Sequence, residues 1–251
     1  MLGSGTSSGV PRIGNNWGAC DPKEPKNRRS RVSVLVEAGQ HKVIVDCGPD
    51  FREQCLAAGL RRLDALLLTH SHADHTHGID DVRQWMHLRG APLPVYAAAG
   101  TWKHLYDRFS YVFEGRELYR PSAEAVTIEG PIKIGPMRII AFPQEHGPIT
   151  SWGFRFEAGG KVFCYSTDVS ALTEAAERCV AGADLWIVDA LRREPHPTHS
   201  HLDQTLGWIA DLAPRHAVLT HMDQSMDYAE LAAALPAHVE PGYDMWAMEL
   251  A

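Results

Sequence analysis

Short apolar runs recur from one end of the chain to the other, and their length and period decide what each becomes. Ten read as strands: Arg31–Glu37, Lys42–Asp46, Ala65–Thr69, Leu93–Ala97, Ile132–Ile134, Met137–Phe142, Gly153–Ala158, Lys161–Thr167, Asp184–Ala190 and Ala217–Thr220. Helical signals fall between them. Asp50–Ala58 closes on Gly59, and Leu172–Val180 follows Ser170 as a cap. Leu202–Leu212 carries apolar residues at Leu202, Leu206, Ile209 and Leu212, opens on a Ser200–Asp203 capping box and stops before Pro214. A last helix, Tyr228–Leu235, ends at Pro236. Strands that first dominate and then alternate with helices predict an α/β or α+β layered fold. With no repeat, low-complexity tract or charged linker, one domain over residues 1–251 is expected.

Composition removes several function classes. Apolar residues make up 45% and charged residues 22%, which excludes a disordered or fibrous chain. The five cysteines (Cys20, Cys47, Cys55, Cys164, Cys179) are odd in number, scattered and without a C-x-x-C pair, so they read as reduced, mostly buried thiols. No apolar stretch approaches the roughly 18 to 20 residues of a membrane helix. The start, Met1 to Gly5, has neither a basic region nor an apolar one, so a cytoplasmic location is expected. A net charge of −7 gives no long-range attraction to nucleic acid. The Lys23–Arg31 stretch is locally basic and reads as a solvated loop in preference to a substrate-phosphate contact. Histidine changes the picture, because ten of the 14 fall in two windows, His70–His87 and His196–His221.

Three times an apolar strand runs into a Thr that is followed by a potential metal ligand: Thr69-His70, Thr167-Asp168 and Thr220-His221. Groups placed just past the carboxyl ends of strands can converge at one edge of a sheet. The first case opens the string His70-Ser71-His72-Ala73-Asp74-His75. Imidazoles with a carboxylate suit Zn²⁺ or Mn²⁺, and four donors in six residues point to two adjacent ions rather than one. Taken singly, His146 is an ordinary loop histidine before the Gly147-Pro148 turn, Asp168 a helix cap and His221 a solvated strand-end residue. The joint pattern makes all three candidate ligands.

The string His70-x-His72-x-Asp74-His75, with His146, Asp168 and His221, resembles the metallo-β-lactamase superfamily. Gly3-Ser4-Gly5-Thr6-Ser7-Ser8-Gly9-Val10-Pro11 and Pro197-Thr198-His199 look like its phosphodiesterase branch, which includes phosphoribosyl cyclic phosphate phosphodiesterases and RNase Z. The resemblance implies an αββα sandwich of two packed mixed β-sheets flanked by helices. It implies two divalent ions, zinc or manganese, one held by His70, His72 and His146 and the other by Asp74, His75 and His221, with Asp168 bridging. Asp74 would double as a proton acceptor. His199, rather than the nearby His201, would contact the scissile phosphate from a position just before a helix start, where unpaired N–H groups favour anions. His77, His87, His104, His196, His216 and His238 are left as structural or surface residues.

The resemblance has departures. Cys20 stands alone where relatives in the phosphonate branch carry a cysteine cluster, which argues against a third, structural metal. No inserted arm of the kind that grips tRNA in RNase Z is visible, and most of the opening strand before the glycine-rich loop is missing, so the chain start is expected to be short. The expected partner is a small-molecule phosphodiester, with neither nucleic acid nor membrane and with a homodimer allowed. Competing readings are a thioester or lactone hydrolase of the same fold and a non-hydrolytic metal-holding accessory protein; a di-iron protein is disfavoured because its motif has a glutamate where His72 stands. The aromatic segment 109–116 reads either as a lid or as a core helix end.

Overall fold

Alternation inside the apolar runs is what stacks this fold into layers. In β2 (His41–Val45), Ile44 packs to one side and Val43 and Val45 to the other, and in β3 (Ala65–Leu67) Leu66 opposes Ala65 and Leu67. In β11 (Leu185–Asp189), Trp186 and Val188 oppose Leu185 and Ile187. Strands apolar on both faces need cover on both sides. The computed structural model, which describes residues 1–250, supplies it with two sheets and helices on their outer faces.

The first sheet places β1 (Val34–Ala38) antiparallel to β2, followed by the parallel strands β3, β4 (Leu93–Ala97) and β5 (Ala123–Thr127). The second runs from β10 (Ala171–Leu172) through β7 (Met137–His146), β8 (Ile149–Ala158), β9 (Lys161–Ser166), β11 and β12 (Ala217–Thr220) to β13 (Val239–Pro241), with β6 (Ile132–Ile134) on β7. From β9 to β13 the neighbours are parallel; the others are antiparallel.

Three apolar clusters fill the spaces between layers. Outside the first sheet, Ile44, Leu66 and Val95 meet Phe51 of α1 (Phe51–Ala57), Trp85 of α3 (Val82–Arg89) and Trp102 of α4 (Ala99–Glu114). Between the sheets, Val43, Val45 and Leu67 share a core with Phe154, Tyr165 and Ile187. Outside the second sheet, Trp186, Val188 and Leu219 meet Val180 of α5 (Glu174–Val180), Ile209 of α6 (Leu202–Leu212) and Leu231 of α7 (Tyr228–Ala234). The layer order is αββα. The short α2 (Ala73–Thr76) lies in the loop after β3, and among the described residues no helix is long and apolar enough to cross a membrane.

Several expectations are corrected. Strand β7 runs on through Pro143 and Gln144 to His146, because its pairing with β8 continues to His146 opposite Ile149 although the apolar pattern stops at Phe142. Ser170 does not cap α5. Its hydroxyl donates to Glu145 O, Ala171–Leu172 pair as β10, and Thr173 Oγ1 accepts the Ala176 N–H instead. Ser200 likewise donates to Asp189 O, leaving His201 at the N-cap of α6 without a side-chain cap.

Residues 109–114 continue α4 beyond a non-helical Phe109, with Val112 and Phe113 in the core, so this part of the segment is a packed helix end rather than a free flap. The Lys23–Arg31 stretch is not simply solvated. Arg29 is 2% exposed and donates to Asp223 O and Met226 O.

The layered packing predicts that Leu66→Ala, at a fully buried strand position, costs about 3 kcal/mol. Leu118→Ala, at a 96% exposed position, should stay within about 0.5 kcal/mol. Urea unfolding of both variants measures the contrast, and similar losses would overturn the layer assignment.

Candidate metal centre

Five apolar strands end in polar residues at the same edge of the molecule. Strand β2 leads to Asp46, β3 to Thr69 and His70, β9 to Thr167 and Asp168, β11 ends at Asp189, and β12 leads to His221. Asp46, Asp168 and His221 have φ of 66°, 53° and 58°, left-handed turns that are uncommon away from glycine and are found where surrounding structure holds them. The loop after β3 and the helix α2 add His72, Asp74 and His75, and the tip of the β7–β8 hairpin adds His146.

The donor atoms of His70, His72, His146 and Asp168 lie within 4.8 Å of one another, and so do those of Asp74, His75 and His221. Asp168 faces both sets. Its Oδ2 is 3.7 Å from His70 Nε2 and 3.4 Å from His146 Nε2, while its Oδ1 is 3.1 Å from His75 Nε2 and 3.4 Å from His221 Nε2. Asp74 Oδ2 lies 3.4 Å from His75 Nε2 and 3.6 Å from His221 Nε2. His72 Nδ1 and His146 Nε2 face each other at 3.4 Å.

These residues fit divalent ions on the evidence of their own nitrogens. Nε2 of His70, His75 and His221 is buried with no hydrogen-bond partner; His75 Nε2 approaches Asp168 without hydrogen-bond geometry. Buried polar atoms left unpaired are costly and call for a partner. The opposite ring nitrogens of His70, His75 and His146 are occupied, whereas His221 Nδ1 is also buried without a partner, 3.9 Å from Asp189 Oδ1. His75 Nδ1 donates to Asp46 Oδ2 at 2.7 Å and His146 Nδ1 to Thr198 O at 2.6 Å. Thr69 Oγ1 donates to Asp46, which leaves its oxygen to accept from His70 Nδ1 at 3.0 Å. Each contact selects the tautomer whose Nε2 lone pair faces the cluster, the arrangement that orients histidine ligands.

Electrostatics lead to the same place. Burial, helped by neighbouring His75, pushes His70 well below its usual value. Burial also pushes His75 down, yet Asp168, Asp74 and Asp46 together hold it well above. Burial works to raise Asp74 and Asp168, but His75 and His221 hold both well below the carboxylate range. The centre therefore favours ionised carboxylates and positive charge between them, on a histidine or on ions.

His199 sits beside this cluster. Its Nδ1 donates to Asp189 Oδ2 at 2.9 Å, its Nε2 is 3.8 Å from Asp168 Oδ2, and its ring stacks on His221 at 4.8 Å. Burial pushes the imidazole down, but Asp189 outweighs it and raises the pKa to about 9. With Asp168 and His221 it forms a third set of donors within 4.8 Å, whereas His201 belongs to none of the three sets.

Among the other histidines, His77 packs on Phe109, His216 pairs with Glu240, His196 lies 5.1 Å from His199, and His87, His104 and His238 are exposed. Asp46, Asp189 and the Thr198 carbonyl were not singled out from the sequence. The two carboxylates do share a signal, since each ends an apolar strand, but without the Thr that marks the other three. A cavity of about 990 Å³ lies elsewhere. It is an apolar groove along Val34, Val36, Phe156 and Trp246, near Lys161 and Leu185 at the starts of β9 and β11, and holds none of these groups.

Residues 41–222 match the family described as the Beta-lactamase superfamily domain. A solved diphosphatase of the PhnP family is 36% identical with a TM-score of 0.88, covering 97% of this chain and 92% of that one. The octanoyltransferase of Porphyromonas gingivalis is 32% identical over 253 aligned residues, 97% of this chain and 50% of that protein. Ribonuclease Z of Bradyrhizobium diazoefficiens is 32% identical over 139 residues, 53% of this chain and 46% of the enzyme. The chain spans about half the length of these two curated relatives. Layer order and the match across most of its length agree, and the chain belongs to the metallo-β-lactamase superfamily.

Proposed function

We propose that residues 1–251 form a single metal-dependent phosphodiesterase domain that hydrolyses a small phosphodiester, such as a phosphoribosyl cyclic phosphate or a cyclic nucleotide. His70, His72 and His146 would hold one divalent ion, Asp74, His75 and His221 the other, and Asp168 would bridge them. Zinc or manganese ions bound there would activate water near neutral pH and offset phosphoryl charge.

The observation that carries the reading is His199, an imidazole locked by Asp189 with Nε2 directed toward Asp168, where the two donor sets meet. Raised to about 9, it holds a proton on Nε2 that can be donated to a phosphoryl oxygen or to the departing alkoxide. Asp74, held ionised, can accept a hydrogen bond from the attacking water and so orient it. Likeness to a PhnP-family diphosphatase and to ribonuclease Z supports chemistry at phosphorus. The net charge of −7 favours a small substrate over RNA. A second reading, hydrolysis of an acyl thioester or lactone, draws on the likeness to an octanoyltransferase, although that name belongs to a protein of which this chain covers half.

The deciding assay is hydrolysis of bis(p-nitrophenyl) phosphate and a panel of cyclic phosphodiesters by protein reconstituted with Mn²⁺ or Zn²⁺, with metal counted on the same sample. Turnover with about two ions bound is expected. Two ions with no phosphodiester turnover would transfer the assignment to acyl substrates or to a binding role. His199→Ala should keep its metal and lose about 10²- to 10⁴-fold in kcat; loss of an ion in that variant would make His199 a ligand. Stripping the metal should abolish turnover. Restoring it at about a hundredfold over its Kd should add about 2.7 kcal/mol of stability, read as a rise in Tm of about 5 to 10 °C. An unchanged Tm would count against these residues as the ligand set.

A further inference from the structure

The turn that presents His221 is held by the two ends of the chain. At φ 58°, His221 adopts a backbone that persists only where its neighbours over-determine it. Met222, the next residue, donates its N–H to Ser4 O at 3.1 Å and accepts the Thr6 N–H at 3.2 Å, with Gly5 bridged to Met222. The glycine-rich segment thus lies directly against the turn. It comes so close on its other side that a Cβ at Gly5 would meet Arg29 Cβ at 2.8 Å and Ser30 O at 2.9 Å.

What fixes this segment is a carboxylate near the other end of the chain. Asp244 Oδ1 accepts from the Ser4 N–H and the Ser4 hydroxyl, both at 2.9 Å. Its Oδ2 accepts from the Ser30 N–H at 2.7 Å and the Ser30 hydroxyl at 2.6 Å. Charge-assisted bonds of this kind are about twice as strong as neutral ones. Two residues earlier, Gly242 donates to Leu219 O on the strand that leads to His221, so the clasp is anchored to the same strand it serves. The set formed by His70, His72 and His146 is held instead by Thr69, Thr198 and the β7–β8 hairpin, none of which hydrogen-bonds Asp244.

We infer that Asp244 is a positioning residue for the His221 side of the metal centre: by clasping Ser4 and Ser30 it locks the glycine-rich segment against Met222 and holds His221 in its turn. The inference rests on the two-ion reading proposed above. Metal-free protein titrated calorimetrically with Zn²⁺ tests it, in the wild type and in Asp244→Asn, whose carboxamide nitrogen would face donors. Thermal unfolding is followed on the same samples.

The wild type should bind in two steps, and Asp244→Asn should weaken one of them about tenfold or more while leaving the other within about twofold. The weakened step is the one that His221→Ala abolishes. Ser30→Ala, which removes one hydroxyl donor and keeps the backbone, should shift the same step by about two- to fivefold, and it carries the test if Asp244→Asn does not fold. Both steps weakening together, or neither, would overturn the positioning role while leaving the two-ion reading intact. A wild type that takes up fewer than two ions would overturn that reading, and this inference with it.

Discussion

Burying a carboxylate with both oxygens away from water obliges the surrounding protein to bring positive charge or donors to each of them. Asp168 is 2% exposed, with Oδ2 turned toward His70 and His146 and Oδ1 toward His75 and His221. Meeting that requirement takes residues from both sheets, since His70 and His75 follow β3 of the first sheet and His221 follows β12 of the second. The sandwich has to bring these two strand edges together, and the core between the sheets, Val45 and Leu67 against Tyr165 and Ile187, sets the distance between them.

A ring of supporting groups then determines which nitrogen His70, His75 and His146 offer. Asp46 and the Thr198 carbonyl each take an Nδ1 proton at 2.6 to 2.7 Å, so the lone pairs opposite face the centre. Asp189 accepts from His199 Nδ1 in the same way. It raises that imidazole to about 9; His75 is held above its usual value too, so what sets His199 apart is its place at the edge of the cluster, with Nε2 3.8 Å from Asp168 Oδ2. Two strand-end carboxylates, one in each sheet, thus hold histidines in different places, one with its Nε2 buried among other donors and the other at the edge of the cluster.

Fold alone would not distinguish hydrolysis at phosphorus from hydrolysis at an acyl carbon, because one scaffold hosts both kinds of site. Among the relatives are a PhnP-family diphosphatase, a ribonuclease Z and an octanoyltransferase of which this chain covers half. The proposed reading turns on His199, a fixed cationic donor beside the metal sets that could offset charge developing on phosphoryl oxygens.

The sequence by itself determined the donor-rich string His70–His75, the strand-end positions of Asp168 and His221, and the layered class of the fold. These are local facts: donor spacing along a few residues and the alternation of apolar side chains are properties of neighbours in the chain. Tertiary structure decided what depends on residues far apart. It extended β7 to His146 through pairing with β8, although the apolar pattern stops at Phe142. It buried Arg29 of an apparently solvated basic stretch against the loop after His221. It placed Asp46 next to His75, 29 residues away, and Asp244 next to Ser4, 240 residues away. An aspartate at the end of a strand or in a tail looks the same in sequence whether it meets water or a histidine, and only the packing of the sheets and chain ends determines which it meets.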